Sequence, residues 1–296
     1  MRNLVVLGIV GLIAQLVDGS LGMAYGVTST TLLLALAGLT PALASTAVHL
    51  SEVGTTLASG VSHWRFGNVD WAKILWLAIP GGIGAFFGAV VLGSVLSAEV
   101  AEPFVAVFLF LLGAYVLARF AFNRSGEIVK NLPIPRTFLA PLGLVAGFLD
   151  AVGGGGWGPI STPTLLSSGR MEPRKVVGTV DTSEFVVALA ASVGFLISLS
   201  FAQVPWGVVA ALLIGGLIAA PLAAWIVRHL NARVLGTAVG GFILLVNANT
   251  FLGAIGVNPE LNVIVYVAIV TVWLTALYFA VAAIRRERKP VLETSA

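Results

Sequence analysis

The chain has no cysteine, only three histidines and few charges of either sign. Without cysteine there is no disulfide framework, no cysteine-ligated zinc and no thiol chemistry. Asp, Glu, Lys and Arg make up 10% of the 296 residues, against about 25% in soluble proteins, which excludes a large solvated surface. The net charge of +3 is spread over many short loops, so no basic patch for nucleic acid is expected. No metal-ligand spacing recurs and no nucleophile accompanies the histidines, so neither cofactor nor metal is expected. What the chain has instead is hydrophobic residues, 58% of the total. Apolar runs of some 20 residues recur along it, each enough to cross a hydrocarbon core of roughly 30 Å. These features define a polytopic membrane protein with the lipid bilayer as its solvent.

The N-terminal stretch "MRNLVVLGIVGLIAQLVDG" has the outline of a signal peptide, but it lacks a small-x-small cleavage site. It also reappears later in the chain, as a removable address would not. At an offset of 132, Gly11 to Leu34 matches Gly143 to Leu166 at ten of 24 positions, among them Asp18/Asp150, Gly22/Gly154, Gly26/Gly158, Ser29/Ser161 and Thr30/Thr162. Tyr25 meets Trp157, and the same offset carries Ser51-Glu52 onto Ser183-Glu184. Two homologous halves are the expected organisation.

The apolar segments run over 3–38, 42–63, 71–97, 101–122, 138–168, 173–200, 205–228, 232–252 and 262–284, with 3–38 and 138–168 interrupted by glycines. If each interrupted segment is a hairpin, the others cross once and the tail is cytoplasmic, then fifteen of the sixteen basic residues face the cytoplasm and only Arg2 lies outside. Such asymmetry is the positive-inside bias. The expected fold is all-α. It has two inverted repeats, each a broken, re-entrant helical hairpin plus three transmembrane helices, with one extra C-terminal helix. The boundaries are 1–122 for the first repeat, 123–137 for a cytoplasmic linker, 138–252 for the second repeat, 253–285 for the extra helix and 286–296 for a cytoplasmic tail. Inverted repeats with broken helices place a binding site near the bilayer midplane.

The breaks, "DGSLGMAYGVTSTTLL" from Asp18 and "DAVGGGGWGPISTPTLL" from Asp150, carry the candidate chemistry. Irregular backbone is tolerated in a membrane where it lines a polar cavity. New half-helices starting near Tyr25 and Trp157 would present N–H groups and a favourable dipole to an anion, without any buried Lys or Arg. The alternative is that the glycines serve close helix packing. The candidate substrate-binding residues are Gly22, Tyr25, Gly26, Thr28, Ser29, Thr30 and His49 in the first half. In the second they are Gly154, Gly155, Gly156, Trp157, Gly158, Ser161 and Thr162. Five acids, Asp18, Glu52, Asp150, Asp181 and Glu184, fall inside membrane segments, where an ionised carboxylate costs about 2.5–3.5 kcal/mol or more. They are coupling or structural acids. Capping a half-helix is as good a reading as proton transfer for Asp18 and Asp150, and function is favoured for Glu52 and Glu184. His49, one turn before Glu52, is a proton switch, an anion donor or a packed neutral ring. In "VNANT", Val246 to Thr250, two amides line a path or join helices.

The duplicated glycine-rich breaks, each with its preceding Asp, resemble the sulfite exporter TauE/SafE family of membrane permeases over essentially the whole chain. The resemblance implies export of a small sulfur-containing oxyanion such as sulfite or an organosulfonate (sulfoacetate). The residues themselves imply only an anion near the midplane. A proton- or cation-coupled carrier, an anion uniporter or channel, and more remotely an intramembrane enzyme using His49 and Glu52, are the competing readings. The expected location is the cell membrane, and a homodimer through the last helix is compatible with the sequence.

Overall fold

A computed structural model describes residues 2–21, 23–122, 133–168, 170–171, 173–226, 232–254, 256 and 261–287. Gly22, most of the linker and most of the tail lie outside the described residues. Among those described there is no strand. The helices are α1 (Arg2–Leu21), α2 (Tyr25–Leu32), α3 (Pro41–Arg65), α4 (Trp71–Val90), α5 (Ala98–Phe122), α6 (Arg136–Gly153), α7 (Trp157–Ser167), α8 (Pro173–Ser198), α9 (Trp206–Ile226), α10 (Ala232–Ala254) and α11 (Asn262–Glu287). A π-helical turn, Leu33–Ala37, extends α2, and another, Val91–Val95, extends α4. Both interrupted segments are broken as expected, into α1/α2 and α6/α7.

Five helices are long and apolar enough to cross a membrane, spanning Trp71–Val95, Ala98–Phe122, Arg136–Gly153, Lys175–Ser198 and Asn262–Ala283. The third of these is α6, which the sequence reading treats as one arm of a hairpin. With 25 residues, α3 is long enough at about 1.5 Å per residue. It is less apolar because it buries Ser45, Thr46, His49, Ser51, Glu52, Thr55 and Thr56. Small boundary differences, such as α6 beginning inside the expected linker at Arg136, are within the usual fraying of helix ends.

Two seams run on small residues, which let backbones approach where the lipid supplies no hydrophobic drive. Helix α1 lies along α9, and α6 lies along α4. A side chain added at Gly11 would strike the Leu212 backbone, one at Gly143 the Leu77 carbonyl, and one at Gly147 the Gly81 carbonyl. Helix α5 pairs with α10, α3 packs on α8 and α9, α4 also packs on α8, and α11 rests against α10 from outside. Large apolar residues face outward around the bundle, including Ile83, Phe87, Leu111, Ile214, Val267 and Phe279. The polar residues are inside. An apolar exterior around a polar interior is the arrangement a bilayer demands of a chain with something to bind at its centre.

Contacts between helix ends fix which of them share a face. The Arg170 guanidinium donates to the Pro133 carbonyl (3.2 Å), closing the mouth of the α6/α7 hairpin. Lys175 donates to the Val69 carbonyl (3.2 Å), and the Arg136 guanidinium stacks on Trp76 at 4.6 Å. The starts of α4, α6 and α8 therefore lie together. The mouth of the α1/α2 hairpin packs elsewhere: Leu7, Leu33 and Leu39 cluster with Val204, beyond the far end of α8.

Candidate functional site

In the second break, α6 ends at Gly153, and Gly154 (φ 71°) and Gly155 (φ 145°) take backbone conformations that favour glycine. The chain then restarts as α7 at Trp157. Asp150, in the last turn of α6, reaches over the gap. Its Oδ1 accepts from the amides of Gly156 (2.6 Å) and Trp157 (2.9 Å), capping α7. In the first break Ala24 adopts φ 100°, and Asp18 Oδ1 accepts from the Tyr25 amide at 3.3 Å. The two breaks are thus built alike, with an acid from the incoming helix on the tip of the outgoing one.

The capping carboxylates alter the expectation of bare helix tips. The amides of Tyr25, Gly156 and Trp157 are bonded to acids rather than open to a ligand. Pro159 has no N–H, and the Thr28 and Ile160 amides already donate to Ala24 and Gly156. First-turn N–H groups have no intrahelical acceptor, so those of Gly26, Val27 and Gly158 remain.

The tips meet. Thr30 Oγ1 donates to the Gly154 carbonyl, joining α2 to the second break. A Cβ on Gly26 would lie 2.8 Å from Gly155 Cα and 3.3 Å from Glu52 Oε1, while one on Gly155 would fall on the Val27 amide. Residues 23–31 and 150–159 are buried throughout, so this is a closed arrangement. Trp157 is fully buried and donates from its indole to the Val180 carbonyl (3.0 Å), and the Tyr25 hydroxyl bonds Ser51 Oγ (3.1 Å).

Helix α3 supplies the polar wall. His49 sits between two acceptors: Nδ1 faces the Ser45 carbonyl at 2.8 Å and Nε2 faces Asp150 Oδ2 at 3.1 Å. Only the doubly protonated ring has a donor for each, so the pair reads as an imidazolium against a carboxylate. Ser45 Oγ also donates to the Ala151 carbonyl (2.7 Å), tying α3 to the second break. Ser45 escaped the sequence reading, although its place one turn before His49 on the same helix face was the available signal. Asn247 is where the amide motif earns a use, donating from Nδ2 to Thr31 Oγ1 at 3.1 Å and so joining α10 to α2. Beside that bond a cavity of about 240 Å³ is lined by Thr31, Gly38, Glu102 and Asn247.

Three buried hydroxyls near the tips, those of Thr28, Ser29 and Ser161, have no hydrogen-bond partner, although Ser29 lies close enough to the Tyr25 phenol to interact with it. An unmade bond in a buried site is costly. Ser29 and Ser161 occupy the same place in the two halves, the fifth residue of each half-helix. Thr162 is buried in the same turn as Ser161.

A helical bundle with an apolar exterior, two broken helices meeting inside it and buried polar groups at the meeting point belongs to the class of membrane transporters. The profile described as Sulfite exporter TauE/SafE matches residues 7–250, and the chain belongs to that family. It is 54% identical over 285 residues to a Bacillus subtilis (strain 168) protein described as "Probable membrane transporter protein YtnM", covering 96% of this chain and 94% of the relative. It is 27% identical over 143 residues to "Probable membrane transporter protein YdhB" of the same organism, covering 48% of this chain and 58% of that one. No solved structure matches the chain at a significant level.

Proposed function

We propose that this transporter carries a small sulfur-containing oxyanion, sulfite or an organosulfonate such as sulfoacetate, out of the cell through the bacterial type of cell membrane, with its C-terminus in the cytoplasm. The family description supports the substrate class and the direction. The observation that carries the site is the pair of half-helix tips in contact, with unpartnered hydroxyls at equivalent places in α2 and α7. When the tips part, the N–H groups of Gly26, Val27 and Gly158, the hydroxyls of Thr28, Ser29 and Ser161, and the His49 imidazolium would face the gap. That set suits an oxyanion's several acceptor oxygens.

The helix pairings support two inverted repeats. Exchanging α1 with α6, α3 with α8, α4 with α9 and α5 with α10 turns the α1–α9 seam into the α6–α4 seam. It turns the α4–α8 contact into α9–α3 and leaves α5–α10 and α3–α8 as they are. The two hairpin mouths lie on different faces of the bundle, as inversion requires. Rocking of one repeat against the other about the tips is then the alternating-access movement.

Flux of labelled sulfite or sulfoacetate in proteoliposomes is the test. Gly155→Val places a branched side chain on the Val27 amide at a φ it cannot comfortably adopt. Flux is expected to fall at least tenfold while Gly253→Ala, with nothing within 4 Å of the new methyl, leaves it unchanged. Undiminished flux in Gly155→Val contradicts the site.

A further inference from the structure

The repeat offset that carries Asp150 onto Asp18 also carries Asp181 onto His49. In one half, therefore, the capping acid faces a base: Asp150 Oδ2 lies 3.1 Å from His49 Nε2. In the other half the corresponding partners are both acids, and Asp18 and Asp181 stand within electrostatic reach of each other. Two carboxylates so placed cannot both ionise away from water, and they share a proton instead. Asp18 and Asp181 are 5% and 4% exposed, which removes water as the remedy. Asp181 Oδ2 has no hydrogen-bond partner and only His63 Nε2 at 3.7 Å.

The surrounding groups add negative charge rather than cancel it. Tyr25 faces Asp18 from α2, and Glu52 faces it from α3. Glu184, one turn along α8, interacts with Asp18, Glu52, Asp150 and Asp181. Helices α7 and α9 carry no ionisable side chain among their described residues. Lys73 at the start of α4 is paired with Asp70, Arg136 of α6 stacks on Trp76, and Arg233 of α10 bonds the Ala121 carbonyl. His49 is committed to Asp150. Five buried acids thus meet one buried cation, and among the described residues no three of His, Asp and Glu are grouped to hold a metal ion.

We propose that the Asp18–Asp181 pair is a proton-carrying site, loaded from the face on which the anion enters and emptied on the face where it leaves, so that anion and proton move together. An anion entering beside ionised carboxylates is repelled by them, and a proton on the pair removes that repulsion. The proposal rests on the transport reading above. The His49–Asp150 pair is its immobile counterpart, holding its proton as a salt bridge in the corresponding place.

The experiment measures anion and proton movement separately in proteoliposomes holding the full chain, using labelled sulfoacetate and an entrapped pH dye. Sulfoacetate stays ionised at neutral pH and brings no proton of its own. The expected result is about one proton moved per anion, from the one proton the pair shares, unchanged by a sodium gradient. In Asp181→Asn the ratio falls towards zero, and Asp18→Asn does the same should the first variant fail to fold. Wild-type anion flux with no accompanying proton overturns the coupling while leaving the transport reading standing. A proton ratio unchanged in both folded variants overturns the assignment to this pair, and a chain that moves neither sulfite nor sulfoacetate overturns the transport reading and the coupling with it.

Discussion

Asp150 divides its two oxygens between a helix tip and a histidine, and that division sets its weight in the fold. Replacing it with alanine removes a cap worth about 1 kcal/mol and leaves a buried imidazolium unpaired, for a total of about 3–5 kcal/mol. Asp18 makes one longer bond, to the Tyr25 amide, and stands near another carboxylate. Thermal unfolding in detergent is therefore expected to show Asp150→Ala losing far more stability than Asp18→Ala, and equal losses would contradict the pairing. The capping role of both acids was visible in the sequence from their position before the glycines. The partner of Asp150 was not, because His49 is 101 residues away and only the fold brings them together. The offset that equates His49 with Asp181 was present in the sequence, but it gains meaning only once the His49–Asp150 contact is known.

At the scale of the elements, the starts of α2 and α7 fall at the aromatic residues where the glycine-rich breaks end. They were legible because glycine, an acid and a repeat copy coincide there. The π-helical turns after α2 and α4 were not legible, since Leu33–Ala37 and Val91–Val95 are ordinary apolar sequence. The role of helix glycines was also ambiguous from sequence: both readings hold, at different positions. Gly154 and Gly155 turn the chain, whereas Gly143 and Gly147 admit the α4 backbone. Gly147→Leu drives a side chain into the Gly81 carbonyl, and overpacking of a tight seam costs typically 1–3 kcal/mol or more. That variant is expected to lose most of its folded yield on size-exclusion chromatography, in contrast to Gly253→Ala. Equal yields would show that α4 and α6 do not meet as closely as described.

For the molecule as a whole, the absence of cysteine is an experimental advantage, because any single introduced thiol reports alone. The charge bias and the contacts between helix ends both put the α3–α4 loop on the cytoplasmic face and the α4–α5 loop on the outer face. In intact cells, a membrane-impermeant maleimide is expected to label Ser97→Cys and to spare Gly67→Cys until the membrane is opened. The reverse pattern would invert the topology. The substrate class, by contrast, comes from the family and not from any charge pattern in the chain, since the groups offered to an anion are amides, hydroxyls and one histidine.

The central claim is that an oxyanion binds where the two half-helices meet, and calorimetric titration of the purified protein tests it most directly. Sulfite, sulfoacetate, thiosulfate, sulfate and taurine are compared on the wild type and on the double variant Ser29→Ala/Ser161→Ala. A hydrogen bond to a charged group is worth about 1.5–3 kcal/mol, so removing two such donors is expected to weaken sulfite or sulfoacetate binding tenfold or more. Wild-type affinity retained in a folded double variant would contradict the claim.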